Sequence, residues 1–167
     1  MSRVARYHAD RTNQKLYFAR LACRQAEQES NVQQKQAQCE AALFHLNGAV
    51  LAFLQELVRY YKLSDLKPSL SSIERILAER GQVSPEVVQL KALSQHGFLA
   101  ALNRSYALCQ YTPEPNIPLP ESDTSSQLII KVMDSAQVWL PDVVILREWH
   151  SELQQLIDDF RAEMVEF

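Results

Sequence analysis

Four histidines, His8, His45, His96 and His150, are the side chains of this sequence best suited to proton transfer or metal binding. His45 stands out because the small residues Gly48, Ala49 and Ala52 follow it within two helical turns. They leave room for a ligand or for a close helix contact. Tyr60 and Tyr61 lie further along the same stretch, and with His45 they form the candidate binding set. The competing reading of His45 is a neutral imidazole completing the edge of a core, and the surroundings favour it. No acid, base or ligand stands three or four residues from it, where a helix would bring a partner round to the same face.

Other chemistries lack their spacing. A di-iron bundle needs Glu-x-x-His, which puts two ligands on one helix face. Glu40 and His45 are five apart, and Glu148 and His150 are two apart. HExxH and zinc-type Cys/His clusters are absent, so no metal and no cofactor is expected. Three glycines cannot build a GxxxxGK[ST] or GxGxxG phosphate loop, and GxSxG is also missing. Arg147-Glu-Trp-His150 is too short for the Arg-to-His spacing of HEPN-type helical nucleases. Arg147 and His150 read instead as flanks of an apolar seam around Trp149.

The elements that would position these residues are helical. Ala, Leu, Gln, Glu and Arg dominate, and all are good helix formers. Leu43, Leu46, Val50, Phe53, Leu57 and Tyr61 recur at helical steps, and Ala42, Ala49, Leu54 and Val58 widen that face. A helix over 41–63 therefore belongs in the middle of a core. A first helix is expected over about 12–29, capped by Asp10 or Thr12, with Leu16, Ala19, Cys23 and Ala26 inward. Ser30-Asn31 marks a turn before the second helix, although one bent helix through this glutamine-rich region satisfies the same composition.

Beyond Lys67-Pro68, a capping box of Ser71 with Glu74 opens a short helix that Gly81 ends. Ser84-Pro85-Glu86 starts another, which stops near Gly97. The next runs from Phe98 to Tyr111 with Leu99, Leu102, Tyr106 and Cys109 inward. Residues 112–126 hold four of the seven prolines and read as a loop. Residues 128–133 are a short apolar run that fits a buried strand or a helical turn. The last helix, about 141–164, carries Leu146, Trp149, Leu153, Leu156, Phe160 and Met164 as its seam. The expectation is a single all-α domain over 1–167, an irregular bundle of five to six helices with long first, second and last helices.

Charge is uneven within a net −3. Basic residues predominate over 1–35 and acidic ones over 112–167, so the terminal helices are expected to pack with complementary faces. Arg3, Arg6, Arg11, Lys15, Arg20 and Arg24, with Tyr7, Tyr17 and Phe18, approach an aromatic-basic nucleic-acid surface. A solvated face with its aromatics turned inward is the favoured alternative, and the acidic pI of about 5.8 argues against nucleic acid. Cys23 and Cys109 read as small core residues. With no CxxC pair and no secretory signal, the setting is expected to be a reducing cytoplasm. His45, Asn47, Gln55 and Glu56 interrupt the most apolar window, so no membrane span is expected.

Residues 12–21 and 41–49, with the Trp149-His150 pair, Leu153 and Phe160-Arg161 of the closing helix, resemble an uncharacterised family of small pseudomonad-type bacterial proteins. The resemblance implies a cytoplasmic helical protein with a domain of unknown function and no catalytic motif to carry over. The leading functional expectation is a non-enzymatic helical interaction module, acting as a homodimer or on a protein partner. The alternative is a ligand-binding or catalytic bundle using His45 with Tyr60 or Tyr61.

Overall fold

The apolar stripe of residues 41–63 lies in the longest helix of the protein. The computed structural model describes the backbone of residues 3–64, 67–110 and 141–165, and side chains within 10–164. Among these residues there are six helices and no strand. They are α1 (Arg3–Gln28), α2 (Val32–Tyr60), α3 (Leu70–Glu79), α4 (Pro85–His96), α5 (Phe98–Gln110) and α6 (Val143–Val165). The proline-rich residues 112–126 and the apolar run 128–133 lie outside the described residues.

Local chemistry places most of the boundaries. Asn31 separates α1 from α2, and its side chain accepts from the backbone N–H groups of Gln33 and Gln34. Two helices, not one bent helix, therefore fill 3–60. At the other end of α2, Leu63 N–H bonds to Val58 C=O and Lys62 N–H to Arg59 C=O. This double closure requires a left-handed residue, here Lys62 with φ 52°. Gly81, with φ 66°, does the same after α3 without the steric cost of a Cβ. Ser84 caps α4 with Pro85 in its first turn, as the sequence indicates.

Two expected caps are elsewhere. The first helix begins by Arg3, so Asp10 and Thr12 are interior residues and not caps, Asp10 exposed and Thr12 buried. The capping box of α3 is Ser69 with Ser72, two residues before the expected Ser71–Glu74 pair. A serine at the third helical position can return the bond as a glutamate does. Glu74 is thereby released to receive Lys91 of α4 at 2.8 Å.

The pairings between helices give the topology. Thr12 meets Glu56, Lys15 meets Gly48 and Phe18 meets His45, so α1 and α2 run antiparallel. Arg161 and Phe160 of α6 reach Glu56 and Phe53 of α2, while Arg161 also reaches Asn13 and Arg147 reaches Glu27. Helix α6 thus lies across both arms of the hairpin, antiparallel to α1. Helix α5 packs on α2 and α6, with Leu99, Leu102 and Ser105 buried. The short α3 and α4 gather at the C-terminal end of α2, where Tyr61 bonds to Glu86 and Arg80 approaches the Tyr61 and Lys62 carbonyls.

The core follows the sequence stripes closely. Leu43, Leu46, Phe53 and Leu57 of α2 are at most 1% exposed, as are Leu146 and Leu153 of α6. Ala19, Cys23 and Ala26 of α1 and Cys39, Ala42 and Ala49 of α2 are buried small residues, which lets the hairpin arms approach closely. Cys109, Tyr106, Val50 and Tyr61 are only partly buried, because each lies at the edge of its helix's inner face. Helix α2 contains an 18-residue window of mean hydropathy 1.4, apolar enough by length and composition for a membrane span. Half of that window is buried inside the bundle.

Phe53 stacks on Phe160 with ring centroids 5.8 Å apart and planes 11° from parallel. Phe53→Ala is expected to destabilise the protein by about 3–5 kcal/mol through loss of burial and the cavity left behind. Urea unfolding measures this directly. An unchanged midpoint would mean that the ring is not part of the core.

Candidate functional site

Two separate surfaces carry side chains suited to binding. The first is the outer side of the α1–α2 hairpin, where Phe44, Gly48 and Leu51 follow one another at helical steps of four and three. Phe44 and Leu51 are each 52% exposed. Gly48 between them is a notch filled from α1: a Cβ there would lie 3.1 Å from Lys15 Cδ and 3.2 Å from Cε. The Lys15 stem therefore lies across α2, and its ammonium sits 4.8 Å from the centre of the Phe44 ring. Burial, aided by neighbouring Arg11, pushes the Lys15 pKa below its ordinary value. A lysine held in place by packing has already lost much of the side-chain freedom that a binding partner would otherwise have to restrict.

His45 borders this surface between two rings. Phe18 and Phe44 each place their centroids 5.3 Å from it, at steep interplanar angles. Its Nδ1 is buried without a hydrogen-bond partner. Burial, then the charges of Lys15 and Arg11, lowers its pKa and disfavours the charged imidazole. His45 is thus a packed aromatic at the core margin. No carboxylate or second imidazole meets it, and no cluster of metal-ligating side chains occurs among the described residues.

The tyrosines of the candidate set are elsewhere. Fifteen residues of helix separate His45 from Tyr60, about 22 Å at 1.5 Å per residue. Tyr60 is exposed and edge-on to Tyr61 at 4.9 Å. Tyr61 donates to Glu86 Oε2 at 2.6 Å, and Ser84 donates to the same oxygen at 2.5 Å. Burial, together with the Glu86 contact, raises the Tyr61 pKa to about 12. This cluster ties the end of α2 to the cap of α4, and the structure does not bring it together with His45.

The second surface is a groove of about 290 Å³ between α1 and α6, with Tyr17 and Arg20 on one wall and His150 and Gln154 on the other. His150 Nε2 donates to the Leu16 carbonyl at 2.9 Å; a carbonyl can only accept, so Nε2 carries the proton. Burial pushes the His150 pKa down, and Arg20 and Arg147 add to that against the opposing pull of the carbonyl. One end of the groove is closed by a junction of three helices. Arg161 of α6 bonds to Glu56 of α2 at 2.7 and 3.1 Å and to Asn13 of α1 at 2.8 Å, while Thr12 donates to Glu56 at 2.5 Å. Sequence reasoning missed this junction because its members lie 44 to 148 residues apart.

The basic stripe of α1 also differs from the expected pattern. Tyr17 is 48% exposed, with Arg20 5.3 Å over its ring, so this aromatic does not turn inward, whereas Phe18 is partly buried against His45. The chain matches the model of a family of unknown function, DUF6586, over residues 7–167. It belongs to that family. No curated protein and no solved structure matches the sequence.

The two shifted histidines set an acid-side dependence of stability. Both have folded-state pKa values below the ordinary 6.5, so the unfolded chain binds protons more readily than the folded one. Their contribution is complete above about pH 6.5 and declines as pH falls below it. In urea titrations from pH 7.5 to 5, the wild-type midpoint is expected to drop on the acid side. The double variant His45→Gln/His150→Gln is expected to show a shallower drop, and an equally steep one would refute this assignment.

Proposed function

We propose that this protein is a non-enzymatic helical interaction module that engages a protein partner through the outer face of the α1–α2 hairpin. The observation that carries the reading is the Phe44–Gly48–Leu51 row with Lys15 locked across it. Two half-exposed large apolar side chains beside an ordered cation form the kind of anchor that an amphipathic helix recognises. His45 supports this surface from behind by wedging between Phe18 and Phe44.

The charges select the occupant. Arg11 and Lys15 approach each other closely enough to depress the lysine pKa, and neither makes an ion pair among the described residues. An acidic amphipathic segment of another protein would bury its apolar side on Phe44 and Leu51 and place its carboxylates near Arg11 and Lys15. A second copy of this chain fits less well, because a two-fold axis through the row would bring these cations towards their own counterparts.

A photo-crosslinking residue in place of Phe44, activated in living cells, tests the proposal. The expected adducts join this chain to a different polypeptide through an acidic, amphipathic segment, and Lys15→Glu removes them. The same adducts obtained from position 148, on α6, would refute the proposed face, as would adducts that persist with Lys15→Glu. Adducts between two copies of the chain would replace the proposal with a homo-oligomer.

A further inference from the structure

The α1–α6 groove lies apart from the face assigned to a protein partner, and its charges are not balanced evenly along its length. At the closed end two carboxylates, Glu56 and Asp158, surround the single guanidinium of Arg161. Arg161 is shared between Glu56 and Asn13. Asp158 receives Gln154 Nε2 at 3.1 Å and lies 3.9 Å from Arg161. At the other end, Arg20 lines the groove and makes no ion pair among the described residues. Its guanidinium rests 5.3 Å from the centre of the Tyr17 ring, so a cation with its fork of donors is held above an exposed aromatic. Beside it, His150 has one nitrogen committed to the Leu16 carbonyl.

We propose that this groove is a binding site for a small carboxylate, with Arg20 as its principal anchor. A guanidinium presents parallel N–H donors that match the two oxygens of a carboxylate. Asp158 lines the far end, where it accepts from Gln154, so the open donor capacity beside Tyr17 belongs to Arg20 and calls for an anion. A volume of about 290 Å³ is at the small end of ligand sites and suits a compact molecule with a ring or short chain against Tyr17. A phosphate dianion fits less well, because among the described residues the second guanidinium lining the groove, Arg161, is already paired with Glu56.

Protonation adds a signature. With Nε2–H given to Leu16, Nδ1 of His150 becomes a donor only by taking up a proton. The charged groups near it are Arg20 on α1, Arg147, Asp158 and Arg161 on α6, and Glu56 of α2 at the closed end. Arg20 and Arg147 disfavour the charged imidazole, and a bound carboxylate would offset them. Carboxylate affinity therefore rises as pH falls below neutrality.

Calorimetric titration of the full chain with benzoate, neutral benzamide and inorganic phosphate, at pH 6 and pH 8, tests the proposal. Benzoate is expected to bind at least tenfold more tightly than benzamide, and more tightly at pH 6 than at pH 8. Arg20→Gln, at an exposed position, is expected to keep the wild-type melting temperature and lose at least tenfold in benzoate affinity. His150→Gln is expected to retain binding at pH 8 and lose the gain at pH 6. No benzoate binding, equal binding of benzamide, or undiminished binding by Arg20→Gln would each overturn the site. Phosphate binding more tightly than benzoate would overturn the carboxylate assignment.

Discussion

Helix α2 has more apolar surface than one neighbouring helix can hide, and the rest of the fold is arranged around covering it. Ten of its residues are buried, from Cys39 to Val58, and they extend around much of its circumference. Helix α1 covers one side through small residues, and α5 and α6 cover another. Burying a large aliphatic or aromatic side chain contributes about 1.5–3 kcal/mol, so this shared core outweighs any single polar contact in the molecule. Among the described residues, the strip left half-exposed holds Phe44 and Leu51, with Gly48 between them crossed only by the Lys15 side chain. The apolarity that centres the fold on α2 thus also leaves the exposed row on which the interaction proposal rests.

Polar contacts set the register of the helices on this core. The Arg161–Glu56 pair is mostly buried, with the side chains 23% and 10% exposed, and its spare hydrogen-bonding positions are filled by Asn13 and Thr12. A buried ion pair repays its desolvation only when it is satisfied in this way. By contrast, Arg147–Glu27 is well exposed and adds little. The charge asymmetry of the chain ends suggested basic α1 side chains facing acidic ones near the C-terminus. The observed pairs run the other way, with arginines of α6 meeting glutamates of α1 and α2. The surplus basic residues of α1, Arg11, Lys15 and Arg20, make no ion pair among the described residues and mark the two candidate surfaces.

Much of the fold was legible because helical periodicity is a local property. The inner residues of α2 and α6, the turn at Asn31, the stop at Gly81 and the Ser84-Pro85 start all follow from neighbours within a few positions. The caps at Thr12 and Ser71 were misplaced because several Ser, Thr and Asp residues compete near each helix start, and only packing selects among them. Thr12 lies inside α1, and its hydroxyl donates to Glu56 of α2. The site was less legible than the fold. Position on the central helix beside small residues singled out His45, with Tyr60 and Tyr61 further along, but the helix itself separates them along its axis. Arg20 with His150, and Lys15 with Gly48, become neighbours only when α1 folds against α6 and α2.

The central claim is that the core-forming hairpin leaves one apolar, basic face for a partner. Chemical accessibility of position 44 inside and outside the cell tests it most directly. Phe44→Cys and, as a control, Val88→Cys at another exposed apolar position would be placed in a Cys109→Ser background, leaving only the buried Cys23 and Cys39. The account predicts that N-ethylmaleimide labels both positions readily in the purified protein, whereas in intact cells position 44 is protected and position 88 is not. Equal labelling of the two positions in both settings would contradict it.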